Sequence, residues 1–126
     1  MNDTLQVTEN FKDSAVELGK LLSSHLGGNV VVMDMRQLDF WTDFFVIATV
    51  TSNTHLFGLE RHIKEYSREK GLDILRRSPK DDEWSIIDMG NIVIHLMTVR
   101  TRSFFELERL WSFAPLIYED HSSKSS

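Results

Sequence analysis

The fold class follows from two stretches, Val30-Val-Val-Met-Asp-Met35 and Phe44-Phe-Val-Ile-Ala-Thr-Val50. Both carry apolar residues at successive positions instead of alternating ones, which predicts strands covered on both faces, as in a central strand flanked by helices. The connection from Arg36 to Asp43 is too short for a crossover helix of ordinary length.

One helical pattern precedes these strands in the sequence, and another follows them. The first runs from about Thr8, a possible N-cap, to Leu26, and Gly27-Gly28 is expected to stop it. Its apolar stripe is Phe11, Ala15, Leu18, Leu22 and Leu26. The second runs from about Thr54 to Lys70, with Gly71 as its end and Leu56, Leu59, Ile63 and Tyr66 on its inner face. Leu72 to Arg76 then predicts a short edge strand, joined through a right-handed parallel crossover.

The rest of the chain predicts a hairpin and a last helix. Glu83 to Asp88 and Asn91 to Met97 are expected to pair as antiparallel strands. The last helix is predicted from Ser103, where Ser103-Phe-Phe-Glu106 matches a capping box, to Pro115, with a core stripe of Phe104, Leu107 and Trp111. We therefore predict one α/β domain over residues 1–118, with a mixed, mostly parallel-plus-hairpin sheet of about five strands, and a disordered tail over 119–126.

Composition narrows the function classes. The chain has 126 residues, a net charge of -5 and no cysteine, which excludes disulfides, thiol nucleophiles and thiolate metal sites. Its N-terminus lacks a basic start followed by an apolar segment, and the longest apolar run is far short of the roughly 20 residues that cross a bilayer. We expect a cytoplasmic protein with no membrane association. Because phosphates dominate nucleic-acid affinity, this acidic chain favours a basic protein partner over sequence-specific nucleic-acid binding.

The common catalytic and cofactor-binding patterns are missing from the sequence. The sequence has no phosphate-binding glycine loop, no Gly-x-Ser-x-Gly and no His-Glu-x-x-His. His55 and His62 are seven residues apart, a poor spacing for one metal. Asp34, Asp43 and Asp88 leave a metal-dependent nucleotidyltransferase-like enzyme as the alternative, although Asp34-Met-Arg36 has a cation where a second acid is needed. We expect no enzyme activity, no metal and no cofactor.

Three further features of the sequence allow more than one interpretation. The basic residues Arg61, Lys64, Arg68, Lys70, Arg76 and Arg77 are interleaved with glutamates, which favours a solvated face over an RNA site. Trp84 and Trp111 are as well explained by core packing as by interface anchoring. His95, on an apolar strand, is interpreted as structural in preference to a base.

Several ordered blocks resemble the ribosomal silencing factor family, also called Iojap. They are Val31-Val-Met-Asp-Met-Arg36, Asp43-Phe-Phe-Val-Ile-Ala-Thr49, Trp84-Ser-Ile-Ile-Asp-Met-Gly90, Val93-Ile-His95 and Arg102-Ser-Phe-Phe-Glu-Leu-Glu-Arg-Leu-Trp111. The similarity spans about Leu5 to Ala114. Phe105 departs from the family pattern, because tyrosine is common there.

The resemblance implies a nucleotidyltransferase-like fold without the catalytic acids. It also implies a partner, the large-subunit ribosomal protein designated L fourteen, whose occupation blocks joining of the two ribosomal subunits and represses translation. Homodimers in solution are a further implication. The implied contact residues are Trp84, Asp88, Arg102, Phe105, Glu108 and Trp111, with a supporting role for His95.

Overall fold

A six-stranded mixed sheet organises the chain. The computed structural model describes residues 3–79 and 81–121, with side chains from residue 11 onward. The helices are α1 (Asp3–Ser24), α2 (Asn53–Lys70), α3 (Val99–Phe105) and α4 (Leu107–Leu110), and a 3-10 helix spans Arg36–Leu38. The strands are β1 (Gly28–Asp34), β2 (Phe44–Val50), β3 (Arg76–Arg77), β4 (Trp84–Asp88), β5 (Ile92–Thr98) and β6 (Leu116–Asp120). Their order across the sheet is β3-β4-β5-β2-β1-β6.

The α/β prediction is confirmed, with corrections to the sheet. Among the described residues β2–β5 is the single parallel ladder, and the other four ladders are antiparallel. The sheet is therefore mixed but not mostly parallel, and it has six strands where about five were predicted. The nucleotidyltransferase-like detail stays a prediction.

The central strands behave as their composition predicts. All seven residues of β2 are buried, and its side chains alternate between two hydrophobic clusters. One cluster lies under α1 and α2 and includes Phe44, Val46 and Ala48. The other lies on the opposite face and includes Phe45 and Ile47. Coverage on both faces explains why the apolar run shows no alternation.

The bounds of α1 differ from the prediction at both ends. The helix already begins at Asp3, so Thr8 lies inside it and is not its N-cap. It ends at Ser24, and Leu26 takes the left-handed conformation with φ 70° while Gly27 N–H donates to Leu22 O at 2.7 Å. Ala15, Leu18 and Leu22 are fully buried as predicted, whereas Leu26 is 48% exposed.

The prediction for α2 is confirmed to within one residue. Ser52 caps its start by accepting a hydrogen bond from His55 N–H at 3.0 Å, and Gly71 ends it with φ 69°. The four predicted inner residues are all buried. The following strand is shorter and later than predicted: it is Arg76–Arg77, and it pairs with β4. It runs parallel to β2, but two strands, β4 and β5, lie between them.

The β4–β5 hairpin is confirmed, whereas the predicted last helix is wrong. Thr98 caps α3 through its hydroxyl, which accepts from Thr101 N–H at 3.2 Å, so Ser103 lies within the helix. Glu106 takes a left-handed conformation, φ 47°, and separates α3 from α4. Phe104 is consequently 78% exposed while Leu107 is buried.

A sixth strand follows Pro115 where no element was predicted. β6 pairs antiparallel with β1 and extends to Asp120, past the predicted domain boundary at residue 118. The part of the predicted tail at 122–126 lies outside the described residues. No helix in the described part of the chain is long and apolar enough to span a membrane.

Candidate functional site

The two faces of the sheet are covered unequally. α1 and α2 contribute a continuous set of buried side chains to one cluster. The opposite cluster is covered by the 36–43 connection and by the segment that holds α3 and α4, and several of its members are only partly buried. We call this second side the open face. Large apolar side chains therefore reach the surface there without a long helix above them.

Six rings form a continuous row across the open face, which we call the aromatic row. Neighbouring ring centroids are 4.8, 5.5, 4.7, 6.0 and 4.6 Å apart along it. These separations are typical of tilted and edge-to-face aromatic packing. In spatial order the row consists of Trp111, Phe40, Phe45, His95, Trp84 and Phe105.

The two ends of the aromatic row reach the surface. Phe105 is 47% exposed, and Trp84 and Trp111 are partly buried, whereas Phe45 and His95 in the middle are buried. Three of the residues implied by the resemblance, Trp84, Phe105 and Trp111, thus belong to one packed system. Each tryptophan packs on the core and also presents part of its ring at the surface, so the structure is compatible with both alternatives raised by the sequence.

His95 fixes the orientation of Trp84. Trp84 Nε1–H donates to His95 Nδ1 at 3.1 Å, which makes Nδ1 an acceptor and places the imidazole proton on Nε2. Burial lowers the pKa of His95 to about 4, so the ring is neutral at neutral pH. Its Nε2 has no hydrogen-bond partner among the described residues. The geometry supports the structural interpretation of this histidine.

Arg102 lies inside the fold and holds the two short helices together. It is 9% exposed, and its Nε and Nη2 donate to Glu108 Oε2 at 3.3 and 2.8 Å. Its Nη1 donates to Thr49 Oγ1 at 2.9 Å and to Gly28 O at 3.3 Å. Arg102 therefore joins α3 and α4 to the ends of β1 and β2. Of this pair, Glu108 is the more accessible, with a side chain 36% exposed.

Asp88 lies apart from the other five implied residues. It stands four positions after Trp84 on β4, which is roughly 13 Å along the strand. Its Oδ1 accepts from Gly90 N–H at 2.8 Å, in a turn where Gly90 has φ 88°, and its Oδ2 pairs with exposed Arg76 at 3.3 Å. Asp88 is 7% exposed, and its contacts stabilise the hairpin turn.

The sequence did not single out several exposed residues near the site. Trp41 is 61% exposed, Leu110 66% and Phe113 90%. Phe104 was predicted to be a core residue, but its ring lies at the surface against Phe105, 4.9 Å between centroids. The stretch 104–113 has more large apolar residues than one buried helical face can hold. This excess was the signal that some of them, such as Phe104 and Phe113, would be exposed.

The carboxylates of the enzyme alternative have local partners instead of converging. Asp34 forms a two-pronged ion pair with Arg36, at 2.9 and 2.7 Å, and its pKa is lowered by these hydrogen bonds despite the opposing effect of burial. Asp43 accepts from Asn91 Nδ2 at 2.7 Å. Within residues 3–79 and 81–121, no three histidine or acidic side chains group in a way that could hold a metal ion. His55 is also engaged at both ring nitrogens, by Thr51 N–H and by His25 O.

The basic residues from Arg61 to Arg77 are exposed, and most of them lie on the side of the sheet opposite the open face. Arg76 differs, because it pairs with Asp88 on the face of β4 that also carries Trp84. Those on α2 belong to the helix that covers the other side of the sheet. Arg77 pairs with Glu60 at 3.0 Å, and Arg76 pairs with Asp88. This is the mixed, solvated surface that the interleaved glutamates predicted.

Comparison with known proteins places the chain in a family. Residues 8–126 match the family model described as ribosomal silencing factor during starvation. A ribosomal silencing factor of Treponema pallidum is 35% identical over 86 residues, 66% of this chain and 76% of that protein. The mouse protein named for mitochondrial assembly of the ribosomal large subunit is 40% identical over 99 residues, 75% of this chain and 43% of that protein. The chain belongs to the ribosomal silencing factor family, as the resemblance implied.

A solved structure has a similar fold. The crystal structure of a protein from Chromobacterium violaceum matches with a TM-score of 0.68 and 26% identity, over 78% of this chain and 86% of that one. The chain spans about half of the length of the organelle relatives that it matches.

Proposed function

We propose that this chain binds the large ribosomal subunit through ribosomal protein L fourteen and thereby blocks joining of the small subunit, repressing translation. The aromatic row on the open face is the observation that supports this proposal most directly. Partly buried tryptophans beside exposed phenylalanines are the residue types that dominate protein interfaces. The mechanism is steric, since two ligands cannot occupy one surface, and it requires no catalysis, metal or cofactor.

Preorganisation of the anchors favours tight binding. Trp84 is oriented by its hydrogen bond to His95 and by its contact with Phe105, so little side-chain freedom is lost on association. Arg102 does the same for the backbone that carries Phe105 and Glu108. The net charge of -5 favours encounter with a basic ribosomal protein.

The six implied contact residues divide into two roles in this proposal. Trp84, Phe105 and Trp111 contact the partner directly, and Glu108 reaches it from the edge of the site. Arg102 and Asp88 act through the framework, because their polar atoms are already engaged within the fold. A cytoplasmic location and homodimers in solution remain part of the proposal.

Co-sedimentation with isolated large subunits tests the proposal, with purified L fourteen as a second target. Trp111→Ala is expected to weaken binding about tenfold or more, the size of an interface hot spot. The matched control is Phe57→Ala, because Phe57 is 38% exposed on α2, on the opposite side of the sheet. Circular dichroism checks that both variants are folded. Absence of the parent chain from the large-subunit fraction, or equal losses in the two variants, would refute the proposed surface.

A further inference from the structure

A pocket opens at the Phe105 end of the aromatic row. Its cavity volume is about 370 Å³, and it lies between the start of β4 and the outer side of α3. Its walls include the rings of Trp84, Phe104 and Phe105. The Phe105 centroid lies 4.6 Å from that of Trp84 and 4.9 Å from that of Phe104. This volume is at the low end of the roughly 300–1,000 Å³ of ligand pockets, which suits one side chain better than a cofactor.

Two carboxylates stand at the rim of this pocket. They belong to Asp81 and Glu83, and Asp81 Oδ1 accepts from Glu83 N–H at 2.8 Å, which fixes the rim backbone. Glu83 Oε1 is approached by the hydroxyls of Thr98 and Thr101, at 3.4 Å each.

One cation of the chain already lies at this rim. Arg100 Nε is 3.5 Å from Glu83 Oε1, and the Arg100 side chain is 85% exposed. An ion pair this exposed contributes little to stability, because water screens it and both side chains lose freedom to form it. A second cation entering between the rings and Glu83 can therefore displace Arg100 readily.

The combination of aromatic ring faces and carboxylates indicates which chemical group the pocket would bind. Ring faces attract cations electrostatically, and carboxylates add charge-assisted hydrogen bonds. A guanidinium fits this combination better than an ammonium, since it is planar, stacks on rings and is more weakly hydrated. We propose that the pocket of Asp81, Glu83, Trp84, Phe104 and Phe105 receives an arginine side chain of the ribosomal partner. This inference rests on the proposed function, and it names the partner's anchoring group.

A titration without ribosomes tests the pocket itself. The probe is N-acetyl-arginine amide, and the readout is the indole N–H resonance of Trp84, with Trp41 and Trp111 as internal references. We expect a saturable shift confined to Trp84, lost in Glu83→Gln. The neutral isostere N-acetyl-citrulline amide is expected to cause none. An absent shift, an equal shift with citrulline, or an equal shift with N-acetyl-lysine amide would overturn the assignment to arginine.

Large-subunit binding tests whether the pocket belongs to the contact. We expect Glu83→Gln to weaken binding about threefold to tenfold, and Arg100→Gln to strengthen it by removing the internal competitor. Opposite signs from two neighbouring charges exclude a general loss of fold. If the parent chain binds subunits and neither variant changes the affinity, the inference is wrong while the proposed function stands. If the parent chain does not bind subunits but the probe shifts Trp84, the proposed function fails and the pocket remains an arginine site.

Discussion

Acidification is expected to destabilise the fold through His95. The imidazole is buried, and burial lowers its pKa from about 6.5 to about 4. The unfolded chain therefore takes up a proton in a pH range where the folded chain keeps the ring neutral. Because the unfolded state binds more protons between these two values, the free energy of unfolding falls as the pH drops through this window.

Linkage gives the size of the effect. For pKa values of about 6.5 unfolded and about 4 folded, the free energy of unfolding decreases by about 2 kcal/mol from pH 7 to pH 5. The full contribution, reached below pH 4, is about 3 kcal/mol, from about 1.36 kcal/mol per pKa unit. Protonation is also expected to disturb the orientation of Trp84, because a protonated Nδ1 can no longer accept the hydrogen bond from Trp84.

Urea unfolding at both pH values measures this effect. The comparison is with His95→Gln, whose amide oxygen can still accept from Trp84 but does not titrate. His25 needs its own control, His25→Gln, because burial and the stacked ring of His62, 3.6 Å away, also lower the pKa of His25. We expect the pH dependence to be about 2 kcal/mol smaller in His95→Gln than in the parent chain. If His95→Gln keeps the pH dependence of the parent chain, titration of His95 is not what destabilises the fold.

Two matched pairs extend the test to packing and charge. Gly58→Ala is expected to stabilise by about 0.5–1 kcal/mol, because a Cβ there meets nothing within 4 Å and helical alanine is favoured. Gly19→Ala is expected to destabilise by about 1–3 kcal/mol, because the same Cβ would lie 2.7 Å from Val32 Cγ2. Thermal unfolding checks both, and equal signs would contradict the packing of α1 on β1. Glu108→Lys is expected to destabilise by about 1–2 kcal/mol, since it sets a cation against buried Arg102 at a partly exposed position. The matched control is Glu106→Lys. Among the described residues, the only charged partner of Glu106 is exposed Arg109, so this change should shift the urea midpoint far less than Glu108→Lys does.

Local signals carried most of the fold prediction. The bounds of β2 and the end of α2 at Gly71 follow from short-range chemistry, so sequence patterns locate them well. The Ser103 capping box failed because a second cap was available upstream. Thr98 has an extended backbone at the end of β5, and its hydroxyl accepts a hydrogen bond from Thr101 N–H. The helix therefore begins before Ser103.

Contacts between distant segments could not be predicted in the same way. β6 is stabilised by its pairing with β1, which lies some 85 positions away in the chain. Its five residues are partly buried or exposed without regular alternation, so they show no strand pattern in the sequence. The same limit applies to the site. The motif blocks named Arg102 and Trp84, but only the fold shows that Arg102 faces Thr49 and that Trp84 donates to His95.

Steric silencing is tested by the rate at which the two ribosomal subunits join. Large subunits are preincubated with saturating amounts of this protein, and joining is followed by light scattering. We expect joining to slow in proportion to the fraction of large subunits occupied, and Trp111→Ala to restore the rate at equal concentration. An unchanged joining rate with the large subunits fully occupied would contradict steric silencing.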